Sequence, residues 1–316
     1  IMAINSLETA KRYTGELDKA IVQKAVTGFF ADNVFRAKFV GAKTVIIPDI
    51  EFVGLADYDR DGGFSLAGTT ISNTSYTLTK DRGRKLQIDR EDMDETGVAN
   101  LAGQILKEYI RTKVAPEMDA YVLSKLAKVA SDKSHKTAYT AAKAVSQLAT
   151  AINNVQSRIG YDEELVAFCD PTFYSQLMNS TEFSRNIVVS DFEKGGINIR
   201  VKFFNGVALI PVTDDCMREE YEFKAGTAAT SSAAATGGFA PKANTGYTRA
   251  LVIPKKGASL VKKTETLRIF TPEQNINADA YAFNYRLYYD VLVKKSNLNS
   301  IETIVTAGTT PTGQGG

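Results

Sequence analysis

Residues 54–92 restrict the possible folds of this chain more than any other stretch. Their sequence, GLADYDRDGGFSLAGTTISNTSYTLTKDRGRKLQIDRED, is polar, rich in strand-forming residues, and interrupted by the turn signals DGG at 61–63 and AG at 67–68. Together with the apolar run that starts at Thr44, these residues predict a long hairpin over residues 44–89.

The predicted hairpin has little apolar material for a core of its own: Leu55, Phe64, Leu66, Ile71, Leu78 and Leu86. Two strands without a packed face are only marginally stable in water. We therefore expect the hairpin to project from the body of the protein and to lie on another surface.

The composition is that of a folded protein with no strong preference for phosphates. Of the 316 residues, 44% are apolar and 23% are charged, which is typical of globular chains. The 38 basic and 36 acidic side chains leave a net charge of only +2. Tight DNA binding over the whole surface is not expected, but a protein that tolerates DNA beside it is compatible with this balance.

Targeting signals and cysteine motifs are not evident. No run reaches the ~18 apolar residues of a membrane span, and the residues after Met2 lack the apolar region of a signal peptide. The protein is therefore expected to be made and kept in a cytoplasm. Met2 reads as an initiator, so the chain is expected to begin near its natural start. Cys169 and Cys216 form no C-x-x-C pair and are expected to be small buried side chains.

Two helices stand out in the pattern of apolar residues. The first covers residues 89–130, opens with acidic residues that suit a helix N-terminus, and should break near Ala115 because Pro116 cannot continue the hydrogen-bond ladder. The second covers residues 137–160 and stops at Gly160. Residues 6–30 are only weakly helical, which indicates an arm that needs a neighbour.

The middle of the chain mixes strands and helices. LVAFCDPTFYSQLMNS (165–180) predicts a buried strand, a cap at Asp170 and a helix that begins at Pro171. VKFFNGVALIPV (201–212) predicts a hairpin around Asn205-Gly206. Residues 224–238 are low-complexity and favour a flexible surface loop, and strand patterns return in residues 248–263 and 285–295.

The sequence predicts no catalytic, cofactor-binding or metal-ligating residues, so an enzyme is not favoured. His135 is the single histidine and is expected in a solvated loop. No Walker loop or dinucleotide fingerprint follows a strand. One acidic cluster starts a helix or binds a hard cation, and its spacing favours the helix start: Asp89, Glu91, Asp92, Asp94 and Glu95.

Lysine pairs near predicted strand ends leave two interpretations open. They either face DNA phosphates or end strands in solvent. The pairs are Lys255-Lys256, Lys262-Lys263 and Lys294-Lys295.

Charged residues of the hairpin are the candidate intersubunit contacts. The returning strand carries Lys80, Arg82, Arg84 and Lys85, and the outgoing side carries Asp57, Asp59, Arg60 and Asp61. The basic residues are expected to face Asp57, Asp59 and Asp61. Cross-strand pairing within the hairpin and contacts to another subunit explain these charges equally well.

The order of these parts resembles the major capsid proteins of tailed bacteriophages, which share the Hong Kong 97-type fold. LQIDREDMDETGVANLAGQILKEYIRTKVAPEMDAYVLSKL (86–126) looks like that family's passage from E-loop to spine helix. LVAFCDPTFYSQLMNS is similar to the strand, proline turn and helix of its axial domain, and RIFTPEQNINADAYAFNYRLYYDVLVKKSNLNSIETI (268–304) is similar to its closing peripheral segment.

The resemblance implies an α+β capsid fold that covers nearly all of the chain. Its expected parts are an N-terminal arm (1–43), an extended E-loop hairpin (44–89), a peripheral domain with a long spine helix (90–132 and 264–308), an axial domain (133–263) with a flexible insertion (224–246), and a disordered tail (309–316).

The resemblance also implies a function and partners. The chain would self-assemble into pentamers and hexamers of an icosahedral shell, with each hairpin resting on the adjacent subunit, and enclose double-stranded DNA in a virion built in the bacterial host cytoplasm. Expected partners are a separate scaffolding protein, a portal protein and DNA contacted non-specifically, with no membrane, no cofactor and no maturation cleavage of this chain. Binding of a decoration protein is left open. An encapsulin-type nanocompartment shell is the alternative.

Assembled shells are expected to be non-covalent. A covalent variant of the family joins an E-loop lysine to an asparagine of another subunit, but Lys80, Lys85, Asn297 and Asn299 cannot be matched to that motif. Shells boiled in detergent should therefore run as single chains on a denaturing gel, and a ladder of multimers that survives boiling would contradict this prediction.

Overall fold

A computed structural model provides the structure of the protein and describes residues 25–32, 38–41, 43–64, 66–91, 101–181, 187–194, 197–226 and 237–307. Several predicted features lie outside these residues: most of the N-terminal arm, the centre of the low-complexity stretch, the tail 309–316, and Asp92, Asp94 and Glu95 of the acidic cluster.

The long helix is broken where the sequence predicts. Helix α1 covers Leu101–Tyr109, a π-helical turn covers Ile110–Val114, and helix α2 covers Ala115–Asp132. Pro116 lies in the first turn of α2, where its missing N–H costs least, and the wider turn before it accommodates the ring. Helix α2 is surrounded by the main hydrophobic core, which includes Met118, Val122 and Leu126.

The strands, in chain order, have the following bounds: β1 Lys38–Val40, β2 Thr44–Glu51, β3 Thr70–Thr77, β4 Lys80–Asp89, β5 Lys136–Ala138, β6 Leu165–Cys169, β7 Ile187–Lys194, β8 Ile197–Phe204, β9 Val207–Pro211, β10 Tyr221–Lys224, β11 Gly238–Pro241, β12 Tyr247–Pro254, β13 Ala258–Phe270, β14 Ala280–Val293 and β15 Glu302–Thr306.

A seven-stranded mixed sheet forms one centre of the fold. Its order is β5-β15-β12-β6-β9-β8-β7. Helices α3 (Ala144–Ile159) and α4 (Pro171–Met178) share a second hydrophobic core with this sheet. Three local predictions are confirmed: α3 ends before Gly160, the Asp170 side chain accepts a 2.7 Å hydrogen bond from the Phe173 N–H to cap α4, and Asn205-Gly206 turns β8 into β9.

A long three-stranded antiparallel sheet, β13-β14-β4, forms the second centre. The inward residues of β14 include Phe283, Tyr285 and Leu287, which join the core around α2. A third sheet, β1-β2-β3, forms a ribbon that leaves the body beside β14. Strands β10 and β11 form a separate two-stranded sheet, which we call the strap.

The predicted extent of the hairpin, residues 44–89, is wrong. Strand β2 returns through β3, whereas β4 pairs with β14 over ten residue pairs from Tyr289↔Lys80 to Ala280↔Asp89. The chain changes sheets at Leu78 and Thr79, where Leu78 is buried and the Thr79 N–H donates to Asp290 at 3.0 Å. The alternating pattern of the sequence runs through this point, so it gives no sign of the change.

Three other predicted domain boundaries differ from the way the strands are arranged in sheets. Strand β13 runs through the boundary predicted between residues 263 and 264, with a bulge between Lys262 and Thr264. Strand β15 lies in the seven-stranded sheet beside β12, whereas the resemblance places 264–308 in the peripheral domain. The predicted insertion 224–246 contains β11, which pairs with β10.

The end of the predicted arm packs against its own body. Phe29 and Phe30 are almost fully buried and lie 6.0 and 6.1 Å from the Phe168 ring of β6. Asp119 of α2 holds this segment, because its carboxylate accepts hydrogen bonds from the Val26 N–H (3.0 Å), the Thr27 N–H (2.9 Å) and the Thr27 hydroxyl (2.6 Å). The interpretation of residues 1–43 as an arm that depends on a neighbour is therefore wrong for residues 25–32.

Substitution of Asp119 should test this anchor. Asp119→Ala leaves two backbone N–H groups and a hydroxyl without their acceptor, so the free energy of unfolding should fall by about 2–4 kcal/mol in urea titrations. Thr27→Val is the matched control, because it removes only one donor and should cost about 1 kcal/mol. Equal losses in the two variants would contradict the anchor.

The same pair of variants carries a pH signature. Burial raises the pKa of Asp119 to about 6, against the opposing effect of its three hydrogen bonds. Between about pH 4 and 6 the folded protein thus binds more protons at this site than the unfolded chain, and the stability of the wild type should fall as the pH rises. This component of the pH dependence should persist in Thr27→Val and disappear in Asp119→Ala.

Candidate assembly surface

Exposed apolar side chains are concentrated at the far end of the ribbon. Of the eleven large hydrophobic residues exposed in the described part of the chain, seven fall within residues 52–71, which we call the ribbon tip. Leu55, Phe64 and Leu66 are at least 91% exposed. The seven are Phe52, Val53, Leu55, Tyr58, Phe64, Leu66 and Ile71.

The tip contains a tight turn. Asp59 and Gly63 pair across it through two backbone hydrogen bonds, of 2.8 and 3.3 Å, and the Asp59 carboxylate accepts from the Asp61 N–H at 3.0 Å. Gly63 has a φ of +79°, a conformation that glycine adopts without strain. The Tyr58 and Phe64 rings meet edge to face at 5.0 Å. The turn therefore presents its apolar and acidic side chains outward in a defined arrangement.

The root of the ribbon is packed. Val45 and Ile47 of β2 form a small core with Leu78, Tyr288 and Leu292. The Tyr76 hydroxyl donates to the Val293 carbonyl oxygen at 3.1 Å, and the Tyr288 hydroxyl donates to the Leu78 carbonyl oxygen at 3.1 Å. The root thus lies on the outer face of β14, opposite the face that packs on α2.

Asp290, a fully buried carboxylate, joins the root to the long helix. It accepts hydrogen bonds from the Thr79 N–H (3.0 Å), the Tyr121 hydroxyl (2.7 Å) and Lys125 Nζ (2.5 Å). Burial and the neighbouring Asp290 carboxylate raise the pKa of Tyr121. Because Thr79 is where the chain passes from the ribbon into β4, this network fixes the direction in which the ribbon leaves the body.

The structure separates the two sets of charged residues that the sequence placed together. Asp57, Asp59, Arg60 and Asp61 lie on the exposed tip, whereas Lys80, Arg82, Arg84 and Lys85 lie on β4. The expectation that the basic residues face Asp57, Asp59 and Asp61 is wrong, since β4 pairs with β14. Along β4, Lys80, Arg82 and Arg84 are half-buried, and Lys85 is exposed on the opposite face.

Arg82 and Lys80 bind the strap to the body. Arg82 donates to both Glu117 carboxylate oxygens, at 2.6 and 3.2 Å, and to the carbonyl oxygens of Lys224 and Gly238, at 2.9 and 3.1 Å. Lys80 Nζ lies 3.6 Å from the centre of the Phe223 ring, and burial, followed by the Arg82 charge, lowers the pKa of Lys80. These contacts are within one chain, so Lys80 and Arg82 are not available as free cations for a neighbour.

The residues that sequence reasoning missed are the buried carboxylates and the glutamate that hold these junctions: Asp119, Asp290 and Glu117. Each acts on residues far away in the chain, and the separation reaches 211 positions between Thr79 and Asp290. A local pattern carries no signal for such a contact. Asp119 lies within the segment 86–126 that resembles the family's spine helix, but that resemblance gives it no role.

Other chemistry is sparse in the described residues. Within the ranges given above, no group of three or more His, Cys, Asp or Glu side chains could hold a metal ion, and no helix is long and apolar enough to cross a membrane. Cys169 and Cys216 are free and buried, as predicted. His135 is half-buried rather than solvated, and its carbonyl oxygen accepts from the Thr303 N–H at 3.0 Å.

No family model and no curated protein match this chain. Solved structures do match it. The capsid structure of the cyanophage P-SCSP1u has a TM-score of 0.52 at 12% identity and covers 86% of each chain. The asymmetric unit of the bacteriophage PhiM1 mature capsid has a TM-score of 0.51 at 14% identity and covers 84% of this chain and 82% of that one.

A third match is the crystal structure of a virus-like particle from Pyrococcus furiosus, with a TM-score of 0.50 at 10% identity and coverage of 94% of this chain and 99% of that chain. At identities this low, the structural matches establish a shared fold and nothing further. The sheets and the broken helix described above, together with these matches, show that the chain has the Hong Kong 97-type fold of phage major capsid proteins.

Proposed function

We propose that this protein is a major capsid protein that assembles into pentamers and hexamers of an icosahedral shell around double-stranded phage DNA. The observation that carries the proposal is the ribbon: its root is packed against β14, while its tip exposes seven large apolar residues. A fold shared with phage capsid structures supplies the context.

The energetics favour a second copy as the partner of the tip. Each large apolar side chain that becomes buried contributes about 1.5–3 kcal/mol. The seven apolar side chains of the tip are exposed on its own body, and the Tyr58 and Phe64 rings contact each other. In a symmetric assembly every copy both gives a tip and receives one, so the exposed apolar surface of all copies is covered at once.

The remaining roles form part of the same proposal. A scaffolding protein and a portal would act during assembly in the host cytoplasm, the mature protein would reside in the virion capsid, and a decoration protein could bind its outer surface. The net charge of +2 is consistent with non-specific rather than tight DNA contact. Asp57, Asp59, Arg60, Asp61 and Lys85 remain proposed intersubunit contacts, because all five are exposed.

A nanocompartment of the encapsulin type is the second candidate. The match to the virus-like particle from Pyrococcus furiosus, which covers 94% of this chain, supports this second candidate. Particles purified from the native host distinguish the two functions: nuclease-protected double-stranded DNA supports the capsid, and packaged protein without DNA supports the nanocompartment.

Loss of the apolar tip should weaken assembly without unfolding the subunit. We expect the triple variant Leu55→Ser, Phe64→Ser and Leu66→Ser to raise the critical concentration for particles at least about tenfold, since even one lost apolar contact is worth this factor. Its melting temperature should stay within a few degrees of the wild type, because the three side chains are exposed in the free subunit.

The matched control is Tyr161→Ser, which removes a 72% exposed aromatic side chain outside the ribbon. Sedimentation velocity and negative-stain microscopy, with the candidate scaffold present, report particles or capsomer rings. Particles from the triple variant at the wild-type concentration would contradict the proposed role of the tip.

A further inference from the structure

The base of the strap belongs to the seven-stranded sheet. The strap follows β9 and precedes β12 in the chain, and both of these strands lie in that sheet. At the base, the Thr248 N–H donates to the Met217 carbonyl oxygen at 3.0 Å. The Arg218 guanidinium lies 3.3 Å from the centre of the Tyr247 ring. The base is therefore fixed to the start of β12.

The far end of the strap is held by the other sheet, β13-β14-β4, which we call the long sheet. The last residue pair of the strap is Lys224↔Gly238, and Arg82 of β4 donates to the carbonyl oxygens of both residues. The same guanidinium donates to both carboxylate oxygens of Glu117 in α2. The side chains of Arg82 and Glu117 are only 24% and 14% exposed, so salt and water screen their attraction only in part. One arginine thus joins β4, α2 and the strap.

Aromatic contacts connect the middle of the strap to the same body. Phe223 of β10 meets the Tyr121 ring of α2 edge to face at 5.6 Å, and Tyr121 meets Tyr289 of β14 in the same way at 5.7 Å. Lys80 of β4 lies over the Phe223 ring, as described above. These contacts bring the strap onto the body, and the charge-assisted hydrogen bonds of Arg82 hold its end in one place.

The strap is attached to the long sheet at a distance from the chain connection between the two sheets. Strand β12 passes into β13 through residues 255–257, and at this end of the long sheet Ala258 pairs with Val293. Arg82 pairs with Leu287, six residues away along β14. Six residues of antiparallel strand span about 20 Å. A link at this distance from the connection resists rotation of one sheet against the other.

Helix α2 also lies between the two sheets. The main core around it includes Phe168 and Leu251 of the seven-stranded sheet, and Phe283 and Leu287 of the long sheet. Packed helices slide against their neighbours by small amounts in the shear motions of proteins. Apolar packing on α2 therefore holds the sheets together but leaves a range of angles between them.

We propose that the strap is a brace that sets the angle between the two sheets, and that Arg82 is the pin at its far end. With the pin in place, the strap, β4 and α2 form one body with the seven-stranded sheet. Without the pin, the strap swings about its base, and the long sheet gains freedom against the seven-stranded sheet. This device lies within one chain, so it does not depend on the proposed function.

The variant Arg82→Lys tests the pin. Lysine keeps the positive charge but lacks the planar fork that reaches Glu117 and both carbonyl oxygens together. In hydrogen–deuterium exchange of the full chain, amides of residues 221–224 and 238–241 should exchange at least about tenfold faster, because the loss of one hydrogen bond to a charged group accounts for this factor.

The matched control is Arg286→Lys. Arg286 lies on β14 of the same sheet and donates to both carboxylate oxygens of Asp81, at 2.9 and 2.6 Å. This control loses an arginine fork of the same kind without any contact to the strap. The strap amides should therefore exchange at the wild-type rate in Arg286→Lys.

Spin labels measure the angle between the sheets. Asn153→Cys on α3 and Gln87→Cys on β4 place one label beside each sheet, at positions that are exposed. Cys169 and Cys216 are buried and stay unlabelled. The distribution of distances between the two labels should be broader in Arg82→Lys than in the wild type, and unchanged in Arg286→Lys.

Each outcome decides one part of the inference. Strap amides that keep the wild-type exchange rate in Arg82→Lys overturn the role of the pin. A strap that loosens while the distance distribution stays as narrow as in the wild type overturns the brace. Amides of β6 report whether the fold is intact. If Arg82→Lys does not fold, Glu117→Gln decides by the same two measurements, because it removes the charge and one acceptor of the pair.

Discussion

The packing of the ribbon root on the outer face of β14 is the contact on which the rest of the structure depends. Strand β14 contributes to two cores at once: its inward side chains join α2, and its outward side chains Tyr288 and Leu292 support Val45 and Ile47. Asp290 fixes the junction, since it accepts hydrogen bonds from Thr79, the last residue before β4, and from two residues of α2. A buried carboxylate satisfied by several donors favours one geometry, and so fixes the direction of the ribbon.

This rigid root explains how an exposed tip can serve assembly. A ribbon attached by a loose linker would lose much of its binding energy to ordering when it met a partner. Here the root is packed while the tip is exposed, and the turn of the tip is already closed by the Asp59–Gly63 pair. The strap reinforces the same body, because Arg82 joins Glu117 of α2 to the backbone of β10 and β11. In the described residues, the subunit is therefore a packed core from which the exposed apolar tip extends.

Local features of this fold could be predicted from the sequence, and long-range ones could not. Pro116 marked the break in the long helix, Asp170-Pro171 marked a helix start, and Asn205-Gly206 marked a turn, because each depends on the backbone chemistry of adjacent residues. The small number of apolar residues in the ribbon could also be counted in the sequence, and it correctly indicated that the ribbon has little core of its own. The partner of β4 was not, because alternating polar and apolar residues describe a strand without saying which strand lies beside it. For the same reason the eight charged candidates divided into a tip set and a β4 set, and Phe29 and Phe30 proved to belong to the core.

Hydrogen–deuterium exchange of free subunits and of assembled shells measures the central claim, that the ribbon tip acquires its buried contacts only from other copies. Amides of residues 52–71 should exchange rapidly in free subunits and become protected in shells, while amides of residues 25–32 should be protected in both states. Protection of residues 52–71 in free subunits, or rapid exchange of the same residues in complete shells, would contradict the claim.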